Sequence, residues 1–183
     1  MKKNKTQSVV VERGKGWFAY ITCLARPSAN EKTGAMAQVA MVVDDVPPPQ
    51  AMKEGKDEVV CKGCALRGSK CYVNPVTLSA TWKKHHKDAV SDIPKHSRNI
   101  RFGQYGNPSL LSENSIQRVI ASGKGGWTGY FHDWWMMDDD TAKKYGKYFM
   151  CSIDDVTART HNTTAGAMID RAKSLGLRYF RVK

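Results

Sequence analysis

The chain has no long apolar run. None of its 183 residues falls in a stretch approaching the about eighteen consecutive apolar positions of a membrane-spanning helix. The opening Met1-Lys-Lys-Asn-Lys-Thr-Gln is charged and is not followed by the apolar core of a signal peptide, so the expectation is a soluble, cytosolic protein without a membrane partner. Also missing are a Walker-type phosphate loop, a dinucleotide fingerprint after a strand, a His-Glu-x-x-His helix and a Gly-x-Ser-x-Gly elbow. Gly123-Lys-Gly-Gly126 is rich in glycine but lies between a helix and a strand, whereas a phosphate cradle opens a helix. Acidic residues are scarce: 17 Asp and Glu stand against 29 Lys and Arg, a net charge of +12.

Cysteine is sparse as well, and its count is odd. Five cysteines, two of them only three positions apart, do not make the disulfide framework of a secreted domain and fit a metal or redox role better. Cys23 and Cys151 stand inside apolar segments and read as small core residues. The other three crowd into Cys61-Lys-Gly-Cys64-Ala-Leu-Arg-Gly-Ser-Lys-Cys71, where Gly63 and Gly68 allow the loop to fold tightly around an ion. A structural zinc site takes four ligands, and a fourth could come from His85, His86 or Cys151, although no second Cys-x2-Cys half is present. Three thiolates on one loop also suit a 4Fe-4S cluster with one iron left open. Spacing alone leaves the iron-sulfur cluster, zinc and free surface thiols as alternatives, since thiolates accept both metals.

The excess positive charge draws such a chain toward polyanions. It is dispersed, with local concentrations at the N-terminus, at Lys83-Lys84-His85-His86-Lys87 and at Lys143, Lys144 and Lys147. Each concentration alone reads as a solvated helix face or a chain end. Together they suggest a nucleic-acid partner without identifying one.

Length and a 41% hydrophobic content suit one domain, 1–183, made of an N-terminal β segment with its connector (1–58) and a cysteine loop followed by βα repeats (59–183). Apolar runs at 17–25 and 36–43 read as a hairpin or as opening strands. Residues 44–58, with Pro47, Pro48 and Pro49, read as an exposed connector. Downstream, helix signals at 76–90, after Ser112, up to about Gly146 and around Ala165–Ala172 alternate with strand signals at 98–103, 127–132, 148–153 and 178–182. That alternation predicts right-handed crossovers, giving an α/β fold: half a (βα) barrel or an open, mainly parallel sheet. In such folds the loops beyond the strand C-terminal ends carry the chemistry, which selects residues 104–107, 132–135 and 152–155.

Within those loops His132, Asp133, Asp154 and Asp155 form a candidate imidazole and carboxylate site for general acid-base work or a divalent metal, with helix capping as the plainer explanation. Asp138-Asp139-Asp140 reads as the first turn of a helix. Trp127, Tyr130, Phe131, Trp134 and Trp135 exceed what one strand's core face needs, so some are expected to line a pocket where a base or an adenine could stack.

The loop ending in Cys71-Tyr72-Val73, the run Arg101-Phe-Gly-Gln-Tyr-Gly-Asn-Pro-Ser-Leu-Leu111, Gly129-Tyr-Phe-His-Asp-Trp134 and the closing Phe180-Arg-Val182 together resemble a group of uncharacterised phage and plasmid proteins over about residues 59–182. That group is in turn distantly similar to reduced radical-SAM proteins. These carry a three-cysteine loop after the first barrel strand and a Gly-Gly-Glu-Pro-like motif ending the second. The resemblance implies a 4Fe-4S cluster on Cys61, Cys64 and Cys71. It also implies an S-adenosylmethionine site at Tyr105, Gly106, Asn107 and Pro108, where Asn107 and its neighbours would meet the amino group of the ligand. The chain departs from that pattern twice: the cysteine spacing is x2 then x6 rather than x3 then x2, and Asn107 replaces an acidic residue, removing a charge partner for an ammonium. The expected function is therefore a phage or mobile-element iron-sulfur protein of radical-SAM-like type. Two alternatives remain: a zinc-stabilised module that binds nucleic acid or a host protein without catalysis, and a nucleic-acid enzyme using His132 and Asp154 with merely structural cysteines.

Overall fold

The computed structural model describes residues 7–28, 34–68 and 71–181. Its seven strands form one open sheet in the order β1-β2-β3-β4-β5-β6-β7. β1 (Val9–Gly14), β2 (Trp17–Thr22) and β3 (Ala37–Val43) make an antiparallel meander, and β3 then pairs in parallel with β4 (Ile100–Phe102). β5 (Trp127–Phe131), β6 (Met150–Ile153) and β7 (Tyr179–Arg181) continue the parallel series. The fold is thus α/β with a mainly parallel open sheet and an N-terminal β segment. Of the expected terminal strand 178–182, Tyr179–Arg181 is strand, and Val182 lies outside the described residues.

Two features go beyond the sequence pattern. The parallel series has five members rather than four, because β3 joins it. Its near-continuous apolar sequence, buried at every position, is what a strand covered on both faces requires. Consequently the cysteine loop follows the C-terminal end of a parallel strand, as the residues 104–107 loop does at β4.

The second feature is a correction. The segment expected to be an exposed connector holds α1 (Pro48–Glu54), which ends at Gly55 in the left-handed conformation, and α2 (Glu58–Cys61). Proline breaks a helix interior, but the first turn has no intrahelical use for its N–H groups, so prolines at 47–49 start a helix here. The expected helix over 76–90 is shorter: a single 3-10 turn, Pro75–Leu78, capped by Asn74, leads into α3 (Ser79–His85), leaving Ala89 beyond the helix.

The remaining helices are fixed by side-chain caps. Ser112 caps α4 (Glu113–Ser122), Asp138 caps α5 (Asp139–Gly146), Asp154 caps α6 (Asp155–Thr160) and Thr164 caps α7 (Ala165–Ser174). Asp138-Asp139-Asp140 is therefore the start of a helix. The buried side chains Ile116, Val119, Ala142, Met168 and Ala172 from these helices share a core with Ile100, Phe102, Phe131, Cys151 and Ile153 of the sheet. Cys23 and Cys151 are buried, as expected of small core residues. Among the described residues, no helix is long and apolar enough to cross a membrane.

Candidate metal and cofactor site

At the C-terminal edge of the parallel strands lies a small cavity of about 60 Å³, narrower than a small-molecule site. Cys61, Cys64 and Cys71 all line it, together with Tyr72, Gly103, Gln104, Tyr105, Gly106, Asn107 and His132. Pro108 does not; it opens the 3-10 turn Pro108–Leu110 behind the wall.

The backbone holds the cysteine loop against the β4 loop. Gly106 has φ +75°, and a Cβ there would come within 2.9 Å of both Cβ and the carbonyl oxygen of Met41. Only glycine fits the twist and the approach. Tyr105 O accepts from Met41 N at 2.9 Å, and Asn107 N donates to Val60 O at 2.7 Å, so β3, α2 and the 104–107 loop are tied together one residue from Cys61. Lys62 and Gly63 follow in left-handed conformations, turning the chain back toward Cys64.

Beneath the cysteines sits Asp57, 1% exposed. Its Oδ2 accepts from the Tyr105 hydroxyl at 2.9 Å and lies 4.0 Å from Cys61 Sγ, while Oδ1 accepts from Arg67 Nη1 at 3.1 Å. Arg67 also donates to Gly55 O at 3.0 Å and pairs with Glu58 at 3.1 Å. One buried carboxylate therefore joins the start and the middle of the cysteine segment to the β4 loop. Sequence reasoning missed Asp57 and Arg67 because single charged residues in a polar stretch carry no pattern.

Burial pushes the Cys61 thiol well up, and the neighbouring Asp57 carboxylate and the other two cysteines add to it; burial raises Cys64 too. Cys61 and Cys64 thus favour the protonated thiol without a metal, and loading one must release protons. Among the described residues no group of three or more His, Cys, Asp or Glu side chains is already gathered at ion-binding distance. The cysteines share a cavity without having closed on one point.

Polar groups left unpaired are concentrated here. Four buried side-chain atoms among the described residues have no hydrogen-bond partner: Gln104 Oε1, Asn107 Nδ2, His132 Nδ1 and Asp133 Oδ1. The first three belong to residues lining the cysteine cavity. Unpaired buried polar atoms are costly and call for a partner such as a ligand. Asn107 Oδ1 accepts from Ser109 N at 3.4 Å, so its spare group is a donor, suited to an anionic oxygen rather than an ammonium. Gln104 Oε1 is a spare acceptor. Three thiols therefore line one cavity with a spare donor and a spare acceptor beside them.

The acid-base candidates separate. His132 lines the cysteine cavity, and burial lowers its pKa against the opposing pull of Asp154 and Asp133. Asp133 lines a neighbouring cavity, accepting from Ser109 Oγ at 2.7 Å with Lys62 Nζ 3.9 Å away. Asp154 is occupied as a cap, accepting from Thr157 N and Thr157 Oγ1, both at 2.7 Å. Asp155 is exposed, 3.9 Å from Arg181. Of the aromatic candidates, Trp134 is fully buried and donates to Ser152 O at 2.9 Å, so it supports the core rather than a pocket.

No protein-family model, no curated protein and no solved structure matches the chain.

Proposed function

We propose that the chain is an iron-sulfur protein of radical-SAM-like type, from a phage or other mobile element, with a 4Fe-4S cluster held by Cys61, Cys64 and Cys71. The observation that carries this reading is the single cavity lined by all three cysteines and by Gln104 and Asn107, whose unpaired acceptor and donor suit the ammonium and carboxylate of S-adenosylmethionine. Cys61, Cys64 and Cys71 would hold the cluster, which, once reduced by an external one-electron donor, would supply the electron for reductive cleavage of a sulfonium carbon-sulfur bond. The chain's own part is to bind and orient. Gly106 lets the loop after β4 pack closely on Met41, Gln104 and Asn107 fix the amino-acid end, and Asp57 holds Tyr105 and Arg67 so that the loop keeps its place.

The test is anaerobic reconstitution followed by calorimetry with S-adenosylmethionine. Reconstituted protein binds it and the Cys64→Ala variant does not. A cluster that assembles without any such binding overturns the enzyme reading. One zinc per chain with no sulfide supports the zinc-stabilised module instead.

A further inference from the structure

The two faces of the sheet are chemically unlike. One presents Ile100, Phe102, Phe131, Cys151 and Ile153 to the helices, each 1% exposed or less. Strand register puts the alternate residues on the other face: Gln38 beside Arg101, Arg101 beside Thr128, Tyr130 beside Met150, and Ser152 beside Phe180. Over β1 to β3 this second face is covered, since Leu78 and Thr81 stand with Tyr20, Thr22 and Gln38 around one cavity. Over β4 to β7 it is open: Arg101, Thr128, Tyr130 and Met150 are part-exposed, and Phe180 is 46% exposed.

The open part carries a pair of aromatic rings and a cation held by a third. Tyr130 and Phe180 meet across β6 with ring centroids 5.0 Å apart, above the small Ser152. On the other side Arg101 Nη2 donates to the Tyr72 hydroxyl at 2.6 Å, and its guanidinium lies 5.9 Å from the centre of that ring. Tyr72 is 75% exposed and also lines the cysteine cavity, so the face runs directly into the candidate cofactor site. No strand residue on this face from β3 to β7 is acidic. Strand residues that include a guanidinium, no carboxylate and exposed rings, in a chain of net charge +12, match a strand of phosphates carrying stackable bases.

We infer that the open face of β4 to β7 binds single-stranded nucleic acid, with Arg101 on a phosphate and Tyr72, Tyr130 and Phe180 as stacking platforms. This names the substrate class of the proposed site, and it rests on that reading only for the chemistry, not for the binding. Unpaired bases are required because a duplex hides the ring faces on which the aromatic side chains stack.

The experiment is fluorescence anisotropy with labelled oligo(dT) and oligo(U) of equal length, a hairpin duplex as competitor, and unfolding curves for every variant. Tyr130→Ala and Phe180→Ala each weaken single-strand binding by roughly five- to a hundredfold, as expected for a lost base stack. Arg101→Gln weakens it by roughly tenfold, Arg101→Lys by less, and Arg101→Gln lowers the salt dependence by about one phosphate contact. Lys143→Gln with Lys144→Gln, both exposed on α5 and outside the strands of this face, serves as the charge control and changes binding by less than about threefold. Equal losses from the control and from Arg101→Gln, or no loss in Tyr130→Ala and Phe180→Ala, overturn the inference. So does preference for the duplex. The relative strengths of oligo(dT) and oligo(U) assign DNA or RNA. Cys64→Ala keeps its single-strand binding, as a surface separate from the cluster requires, and loss of binding in that variant with an unchanged unfolding curve overturns the inference.

Discussion

The phenol of Tyr105 donates to the buried carboxylate of Asp57 across 2.9 Å, joining the loop after β4 to the segment that carries the cysteines. The two residues are 48 positions apart, and their contact is what makes the cysteine loop and Gly106-Asn107 walls of one cavity. Burial, together with the neighbouring Cys61 and Asp57, raises the Tyr105 pKa, so the hydroxyl keeps its proton and remains a donor.

Asp57→Ala removes the partner of Tyr105 and of Arg67 together. The expected cost is about 2 to 4 kcal/mol, the range for leaving buried polar groups unpaired, read from denaturant unfolding. Tyr105→Phe, which deletes only one hydroxyl, costs about 1 kcal/mol. Equal stability of Asp57→Ala and the parent protein contradicts the role of the carboxylate as the tie.

Gly106→Ala places a methyl 2.9 Å from Met41 in a left-handed backbone conformation. The expected result is a loss of about 1 to 3 kcal/mol in stability and weaker cofactor binding. Unchanged thermal unfolding would show that the loop has room the close approach denies it.

Asn107→Ala and Gln104→Leu leave the cysteines untouched and remove the spare donor and the spare acceptor. Each is expected to weaken S-adenosylmethionine binding by roughly ten- to a hundredfold, the worth of a charge-assisted hydrogen bond, with the cluster spectrum unaltered. Loss of the cluster itself in either variant would contradict this division of roles.

His96 gives the chain an acid-sensitive point away from the site. Burial, then Arg98, lowers its pKa from 6.5; Nδ1 accepts from Arg98 N at 3.2 Å and Nε2 contacts Ser122 Oγ at 3.2 Å. A folded-state pKa below the unfolded value contributes stability that is present above about pH 6.5 and lost as pH falls below it. His96→Gln should flatten the fall in unfolding free energy between about pH 7 and pH 5. Parallel pH profiles for the two proteins would contradict the assignment.

What the sequence made legible follows from periodicity and from caps. Strands at 100–102, 127–131, 150–153 and 179–181 announce themselves by short β-branched and aromatic runs between helices, and Ser112 and Asp138 mark helix starts. β1 was hidden because Val9-Val10-Val11 is followed by charge and a bulge between Val10 and Glu12 breaks the alternation. Parallel pairing of β3 with β4 could not be read at all, since the register spans some sixty residues. At the site, the cysteines and Gly106-Asn107 stood out as motifs. Asp57, Arg67 and the polar face containing Arg101 did not, because they become a site only once distant strands are side by side.

The most direct test of the account is anaerobic reconstitution with iron and sulfide, with metal and sulfide analysis and a visible and paramagnetic-resonance spectrum of the reduced protein. The account predicts about four irons and four sulfides per chain in the parent protein, and loss of the cluster in each of Cys61→Ser, Cys64→Ser and Cys71→Ser but not in Cys151→Ser. A single zinc without sulfide, or a cluster that survives replacement of all three loop cysteines, would contradict it.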